Sequence, residues 1–451
     1  MRKSNSDSGL TAKRSNRLLV AGLTAILMAV SPLGFSQDYT RLSERTIIGT
    51  ARYVGMSGAM TAIGGDPSAV TDNPAGLGLY RRAEAMATMD IGIDRTQQTD
   101  QEKVGKTLRF SLAQASAVFA LGDFSKDDGI IAYNFMISYK RHRTFFRDYY
   151  GYAGSGPALA PLLSNADVEW DIAIPNHRTH DSNALRLSER GQANEFGLDW
   201  AMNYSNKLYF GLGLRIHSYS LTEDAVYEET YSKDWLYNKS YVSHSGVGVG
   251  LAAGMIYRPL SWLRLGVAIH TPSLGSLRTS TDGQLQTMTD TLGTSYPTPL
   301  SFRDMDFHLP VHLSTSAAFQ IGAYGMIALQ YDLYKQLQSP MIHSLRAGVE
   351  VIPVMGMYIN AGYACESTFK KEGSPVLMDP TFERQDVYSQ FPRTAQYASV
   401  ALGYRGSFIM VQAAYQYRWQ HIDLFAHENA APYDIAATTH RIVITIGWHQ
   451  N

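Results

Sequence analysis

Three things are scarce in this chain, and each scarcity removes a class of protein. There is one cysteine, Cys365, in 451 residues, so no intramolecular disulfide framework exists. That cysteine also lies far from the N-terminus, where a lipidated leader would need it. Charged residues make up only 18% and the formal net charge is −1, which excludes the basic footprint of a nucleic-acid binder. Beyond residue 36 no apolar run approaches the roughly 20 residues of a membrane-spanning helix. Catalytic signatures are missing as well: there is no Gly-x-Ser-x-Gly elbow. His177 with His180, and His308 with His312, lack a second pair of ligands at metal spacing. Neither an enzyme, a cofactor nor a metal is expected.

What is present begins with a leader. Arg2, Lys3, Lys13, Arg14 and Arg17 precede an apolar run over 18–33, followed by Gly34-Phe35-Ser36, the pattern of a secretory signal cleaved after residue 36. From about residue 82 to 448, apolar and polar residues alternate with period two. In 407–420, Ile409, Val411, Ala413, Tyr415, Tyr417 and Trp419 share one face, while Gln412, Gln416, Arg418 and Gln420 share the other. The same separation recurs in 208–216, 263–270, 327–334, 345–351 and 441–448, and no charge falls on the apolar faces. A lysine or arginine facing lipid at mid-membrane costs about 2–4 kcal/mol, so this exclusion points to lipid outside. The 28 tyrosines suit an aromatic girdle.

About fourteen such segments can be counted, an even number as bacterial barrels require. The second, 107–120, slips phase between Leu112 and Ala117, where a bulge is expected. Connections alternate between short turns (203–207, 258–262, 320–324, 352–356, 405–407) and long loops (145–190, 221–243, 272–307, 367–393, 421–437). That asymmetry predicts an all-β transmembrane antiparallel barrel in the outer membrane of a Gram-negative bacterium, with both termini periplasmic. The expected organisation is a signal peptide (1–36), an N-terminal hatch or plug (37–81) and the barrel (82–451).

One stretch breaks the alternation. Residues 55–79 carry Gly55, Gly58, Asp66-Pro67 and Asn73-Pro74-Ala75-Gly76, a series of breakers that forbids a long helix or a regular strand. A compact plug is expected there. This motif and the strand count together resemble the FadL family of outer-membrane transporters for long-chain fatty acids and hydrophobic compounds. Leu309-Pro310-Val311, the 345–350 segment and 440–443 resemble it more weakly. The resemblance implies fourteen strands closed by an N-terminal hatch bearing Asn73, Pro74 and Ala75. It also implies passive uptake of a hydrophobic ligand, and a kink in the third strand that releases ligand sideways. The sequence departs from the last point: residues 129–141 contain no internal glycine or proline, so an unkinked strand is expected.

The aromatic and aliphatic content of two long loops, Tyr149, Tyr150, Leu159, Leu162, Leu163, Trp170, Trp235 and Leu236, predicts an extracellular groove for an apolar ligand. In the sixth strand, Gly246, Gly248, Gly250, Ala252 and Gly254 face the lumen, leaving room for a passage or for the plug to press against. Inward ionisable residues include Arg215, Arg264, Arg346, Glu350, Arg405, Arg418 and Arg441. They suit either binding of a fatty-acid carboxylate or, more simply, a network that fixes the hatch. The expected partners are a hydrophobic small molecule and membrane lipid, with no nucleic acid. Two rival functions remain: a non-transporting barrel that scaffolds or shuttles a secreted protein, and a haem-binding surface receptor.

Overall fold

The computed structural model describes residues 46–125, 127–159, 178–289, 292–335, 341–368, 389–427 and 430–450. The leader lies outside them. Wherever the sequence alternates, the chain forms a strand with one face buried and the other exposed, because successive side chains leave a strand on opposite sides. In chain order the strands are β1 (Glu84–Gln98), β2 (Val104–Gly122), β3 (Ile130–Ala153), β4 (Ser182–Tyr204), β5 (Leu208–Thr230) and β6 (Trp235–Leu260). Next come β7 (Leu263–His270), β8 (Leu274–Met288), β9 (Gly293–His308), β10 (Val311–Ile321) and β11 (Gly325–Lys335). The series ends with β12 (Ile342–Val351), β13 (Met357–Thr368), β14 (Ala395–Arg405), β15 (Ile409–Phe425) and β16 (Tyr433–His449).

All neighbouring pairs are antiparallel, and β16 returns to β1 from Glu84↔His449 to Gln98↔Ile435, closing the sheet. β7 and β8 form one stave interrupted at Pro272, and β9 and β10 form the next, interrupted at Leu309-Pro310. Counted as staves, the closed antiparallel barrel has fourteen. The predicted slip in the second strand is a bulge: Thr88 pairs with Gln114 and Met89 with Leu112, leaving Ala113 extra. Exposed apolar side chains such as Leu108, Phe110, Leu212, Leu251, Leu329, Val400 and Ile446 line the outward face, as a lipid-facing wall requires.

Much of what reads as long loop is strand. β3 runs on to Ala153, β5 and β6 continue as a ribbon to Thr230 and Trp235, and β8 with β9 forms a second long hairpin. The ladder satisfies backbone groups wherever the chain can pair, so strands continue beyond the apolar band that made them legible.

Residues 46–80 fill the interior. They form α1 (Ala51–Gly55), α2 (Pro67–Asp72) and a 3₁₀ turn (Pro74–Leu79). Ile47, Tyr53, Val54, Met56, Met60 and Ile63 pack against inward alanines of the wall, among them Ala318, Ala328, Ala364, Ala401 and Ala414. The wall is small where the plug is large, which lets a closed barrel hold a packed segment instead of water.

Candidate functional site

The breakers of the plug become its caps. Asp66 Oδ1 accepts from the Ser68 and Ala69 amides at 2.9 and 3.4 Å, and its Oδ2 accepts from Thr50 Oγ1 at 2.7 Å. Pro67 takes the first position of α2, where no N–H is needed. Asn73 ends α2 and opens the 3₁₀ turn: its Oδ1 accepts from Ala75 N at 3.1 Å, and its Nδ2 donates to Thr61 O at 2.8 Å. Asn134 of β3 donates to both Leu77 O and Tyr80 O at 2.8 Å, pinning the end of the turn. Gly76 O accepts from Gly65 N at 3.1 Å.

Two wall glycines allow the Asn73-Pro74-Ala75 corner to touch backbone. A Cβ on Gly211 would sit 2.2 Å from the Pro74 carbonyl carbon, and one on Gly254 would sit 1.8 Å from Asn73 Oδ1. Gly254 therefore serves plug contact, whereas Gly248 and Gly250 face Ser273 at the stave break. Gly55 packs on Ala401, and Gly58, at φ +76°, turns the chain beside Arg346.

Charge holds the plug from several sides. Asp72 accepts from Tyr53 Oη at 2.5 Å and pairs with Lys140 Nζ at 3.2 Å. Lys140 also donates to Thr71 Oγ1 at 2.8 Å and lies over the Tyr53 ring. Arg346 donates to Tyr53 Oη at 3.4 Å while its Nε stays 3.0 Å from Asp332. Arg215 reaches the Val70 and Thr71 carbonyls and is held by Asp199 at 2.6 Å. Arg215 thus sits where the last carbonyls of α2 point. Glu350 grips Arg52 with both oxygens, at 2.6 and 2.8 Å. Arg264 donates to Ile63 O at 3.0 Å, and Arg441 donates to Ile47 O at 2.9 Å. Arg405 pairs with Glu84 at 2.6 Å, and Arg418 donates to Tyr397 Oη at 3.0 Å. These last two are held by the wall.

Beside the plug the wall breaks. β2 and β3 pair from Gly122↔Ala132 only as far as Gln114↔Lys140. Past that point β2 continues on β1 alone and β3 on β4 alone. β3 passes inside β2: Thr107 Oγ1 donates to Phe146 O at 2.8 Å, and a Cβ on Gly105 would meet Asp148 O at 2.0 Å. The cause is a bulge at His142, between Arg141↔Asn194 and Arg143↔Ala193. The expectation of an unkinked third strand is thus corrected. The kink needs no glycine or proline; it turns Arg141, which would otherwise face outward, into the lumen against Asp90 at 3.2 Å.

Around the break, Arg109, Arg141, Arg147 and Arg441 surround Asp90 and Asp94, with Arg109 3.1 Å from Asp94 and Arg441 3.3 Å from Asp90. Four guanidinium groups face two carboxylates, so this cluster carries an excess of positive charge.

At the long-hairpin end an apolar cap joins opposite walls. Tyr149, Leu159, Leu185, Leu187, Tyr227 and Leu236 pack with Ile422, Leu424, Tyr433 and Ile435. Glu229, buried in it, accepts from Tyr227 Oη at 2.7 Å and from Leu159 N at 2.8 Å. Of the residues predicted to line a groove, Tyr149, Leu159 and Leu236 are thus core of the cap and not an open surface. Tyr150 and Trp235 lie at its rim, Tyr150 with Lys103 over its ring at 4.2 Å. Leu162, Leu163 and Trp170 lie outside the described residues. Burial, with His180 adding repulsion, pushes His427 of the cap down to about 4.

Lys140, Tyr53, Asp72 and Arg141 were not among the sequence candidates. One cue pointed to the two cations: Lys140-Arg141-His142-Arg143 cannot alternate without setting charge on the lipid face.

No protein-family model matches this chain, and no curated protein sequence does. Solved structures do. A Pseudomonas aeruginosa FadL homologue superposes with a TM-score of 0.59 at 11% identity, covering 90% of this chain and 98% of that one. The Pseudomonas putida toluene transporter TodX gives 0.57 at 13%, covering 90% and 99%. The Ralstonia pickettii toluene transporter TbuX gives 0.55 at 12%, also covering 90% and 99%. The chain has a FadL-like fold, and two of these structures are toluene transporters.

Proposed function

We propose that this FadL-like barrel passes a hydrophobic small molecule, fatty-acid-like or hydrocarbon, across the outer membrane of a Gram-negative bacterium by passive diffusion, with residues 46–80 as the hatch. The short turns lie on the periplasmic side with both termini, and the cap lies outside. The observation that carries this reading is the unpaired edge of β2 beside β3. Unpaired backbone exposed to hydrocarbon is costly, and an opening there joins the interior to the apolar phase in which such a ligand dissolves. The ligand enters by parting the cap, moves along the inner face of β3 and leaves through the break. The excess arginine charge there favours a ligand with a carboxylate head.

Uptake into proteoliposomes containing the refolded protein tests the reading, using a fluorescent long-chain fatty acid and toluene in parallel. Entry of either faster than into empty vesicles supports it. No uptake of either, together with no apolar molecule in mass spectra of repeated preparations, overturns it.

One observation favours the rival role as a scaffold for secreted protein. Among the described residues, β9 pairs only with β8 and leaves its other edge open, with Leu300 and Phe302 exposed. Such an edge accepts a partner strand. Recovery of a secreted protein on this hairpin, with uptake absent, would select that role.

A further inference from the structure

We propose that His142, Glu195 and His217 form a binding site for a divalent transition-metal ion of the Zn²⁺ type, at the point where β3 leaves the wall. The bulge makes His142 the extra residue of β3 and brings its ring to β4. Glu195 of β4 and His217 of β5 stand directly opposite one another. His142 Nε2 lies 2.6 Å from Glu195 Oε2, and His217 Nδ1 lies 3.7 Å from the same oxygen. One donor atom from each of the three residues falls within 4.8 Å of the others. Two imidazole nitrogens and a carboxylate oxygen are a recurrent zinc set, with bonds of about 2.0–2.2 Å. Bonds of that length place tetrahedral donors roughly 3.3 Å apart. The two distances found bracket this value and the third lies within 4.8 Å, so side-chain adjustments on the order of an ångström admit the ion.

The surroundings suit a cation. Glu195 Oε1 lies 3.3 Å from Arg215 Nε, which fixes the carboxylate so that Oε2 points between the imidazoles, the orienting role that outer partners play at metal centres. Arg215 is shared with Asp199 at 2.6 Å. Two carboxylates thus face one guanidinium, and negative charge is in excess before an ion arrives. The His142 side chain is 10% exposed while those of Glu195 and His217 are nearly inaccessible, leaving the position beside His142 for water as the fourth ligand. The Thr46 amide and hydroxyl both donate to His142 O, at 3.2 and 2.7 Å. An ion here would tie β3, β4 and β5 together at the bulge, where Thr46 at the start of the plug bonds to β3. Binding does not depend on the transport reading, and the test below requires no transport.

The test is a titration of the full chain, refolded in detergent and freed of metal, with Co²⁺ as probe. One equivalent bound, with the visible absorption of a four-coordinate Co²⁺ centre and displacement by Zn²⁺, is expected. His142→Ala and His217→Ala should each weaken binding at least tenfold, while His421→Ala, which alters a histidine elsewhere, should not. Heat-modifiable migration on gels confirms that each variant is a folded barrel, and Glu195→Gln replaces any that is not. Absence of stoichiometric Co²⁺ binding, or binding undiminished in the folded variants, overturns the site.

Discussion

Replacing Asp72 with asparagine isolates the contribution of charge to the seating of the plug, and so tests the proposed hatch. Asp72 is the only carboxylate within ion-pair distance of Lys140 among the described residues, and the Lys140 side chain is 4% exposed. Asp72→Asn preserves shape and the contact to Tyr53 Oη but leaves the ammonium with only neutral acceptors, Thr71 Oγ1 and Ser68 O. Removing one partner of a buried pair costs about 3–5 kcal/mol. Because the barrel strands keep their own ladders, that cost falls on the seating of the plug. At about 1.4 kcal/mol per tenfold, the seated state loses roughly a hundred- to a few-thousandfold against the displaced one. Planar-bilayer conductance of the refolded variant should show frequent openings where the wild type is closed. Adding Lys140→Met, which removes the stranded charge, should restore most of the closure, since Arg346 keeps Asp332. Conductance equal to wild type in the single variant would refute the latch. So would loss of heat-modifiable migration, which would place the cost on the barrel.

Four further outcomes are expected. Gly211→Ala places a methyl group against the Pro74 backbone, an overpacking of about 1–3 kcal/mol; permeability should rise in bilayer recordings with the barrel intact. Asn73→Ala removes the cap of the 3₁₀ turn and the bond to Thr61 O and should raise permeability likewise, whereas global unfolding would contradict the hatch assignment. Arg109→Met leaves Asp94 its partner Arg147 but reduces the positive excess at the break. At about 1.5–3 kcal/mol for a bond to a charged group, uptake of a fatty acid relative to toluene should fall about tenfold or more in paired flux assays. His427 is neutral in the cap, with a pKa of about 4 against about 6.5 unfolded. Its contribution is full above about pH 6.5 and is lost as pH falls through 4. Protease nicking of the cap should accelerate over that window, despite Glu229 3.8 Å away.

The barrel was legible because lipid imposes a rule on every second residue, and Ile442, Ile444, Ile446 and Trp448 obey it without exception. The plug was legible for the opposite reason: breakers cluster where neither period survives, and Asp66 and Asn73 are residues whose side chains cap their own backbone. The site was less so. Arg346 and Asp72 are far apart in sequence and meet only because β12 lines the interior that α2 occupies. His142, Glu195 and His217 lie on three strands whose register no spacing rule supplies, so a search for ligands at fixed intervals passes over them. The kink in β3 was missed because it was sought in glycine and proline, whereas a bulge at His142 makes it. The cap was misjudged because apolar residues in a connection look alike whether they await a ligand or one another.

The interruptions at Pro272 and at Leu309-Pro310 fall side by side, with Leu309 N donating to Ser273 O at 3.2 Å, while below them His270 and His312 are directly paired. The wall could therefore turn there and be complete. The β8–β9 hairpin is in effect grafted onto a finished barrel at a seam, and a two-residue turn joining residues 271 and 311 would close the wall without it. What the chain presents to its surroundings on that side can thus be exchanged, lengthened or discarded without renegotiating the architecture beneath it.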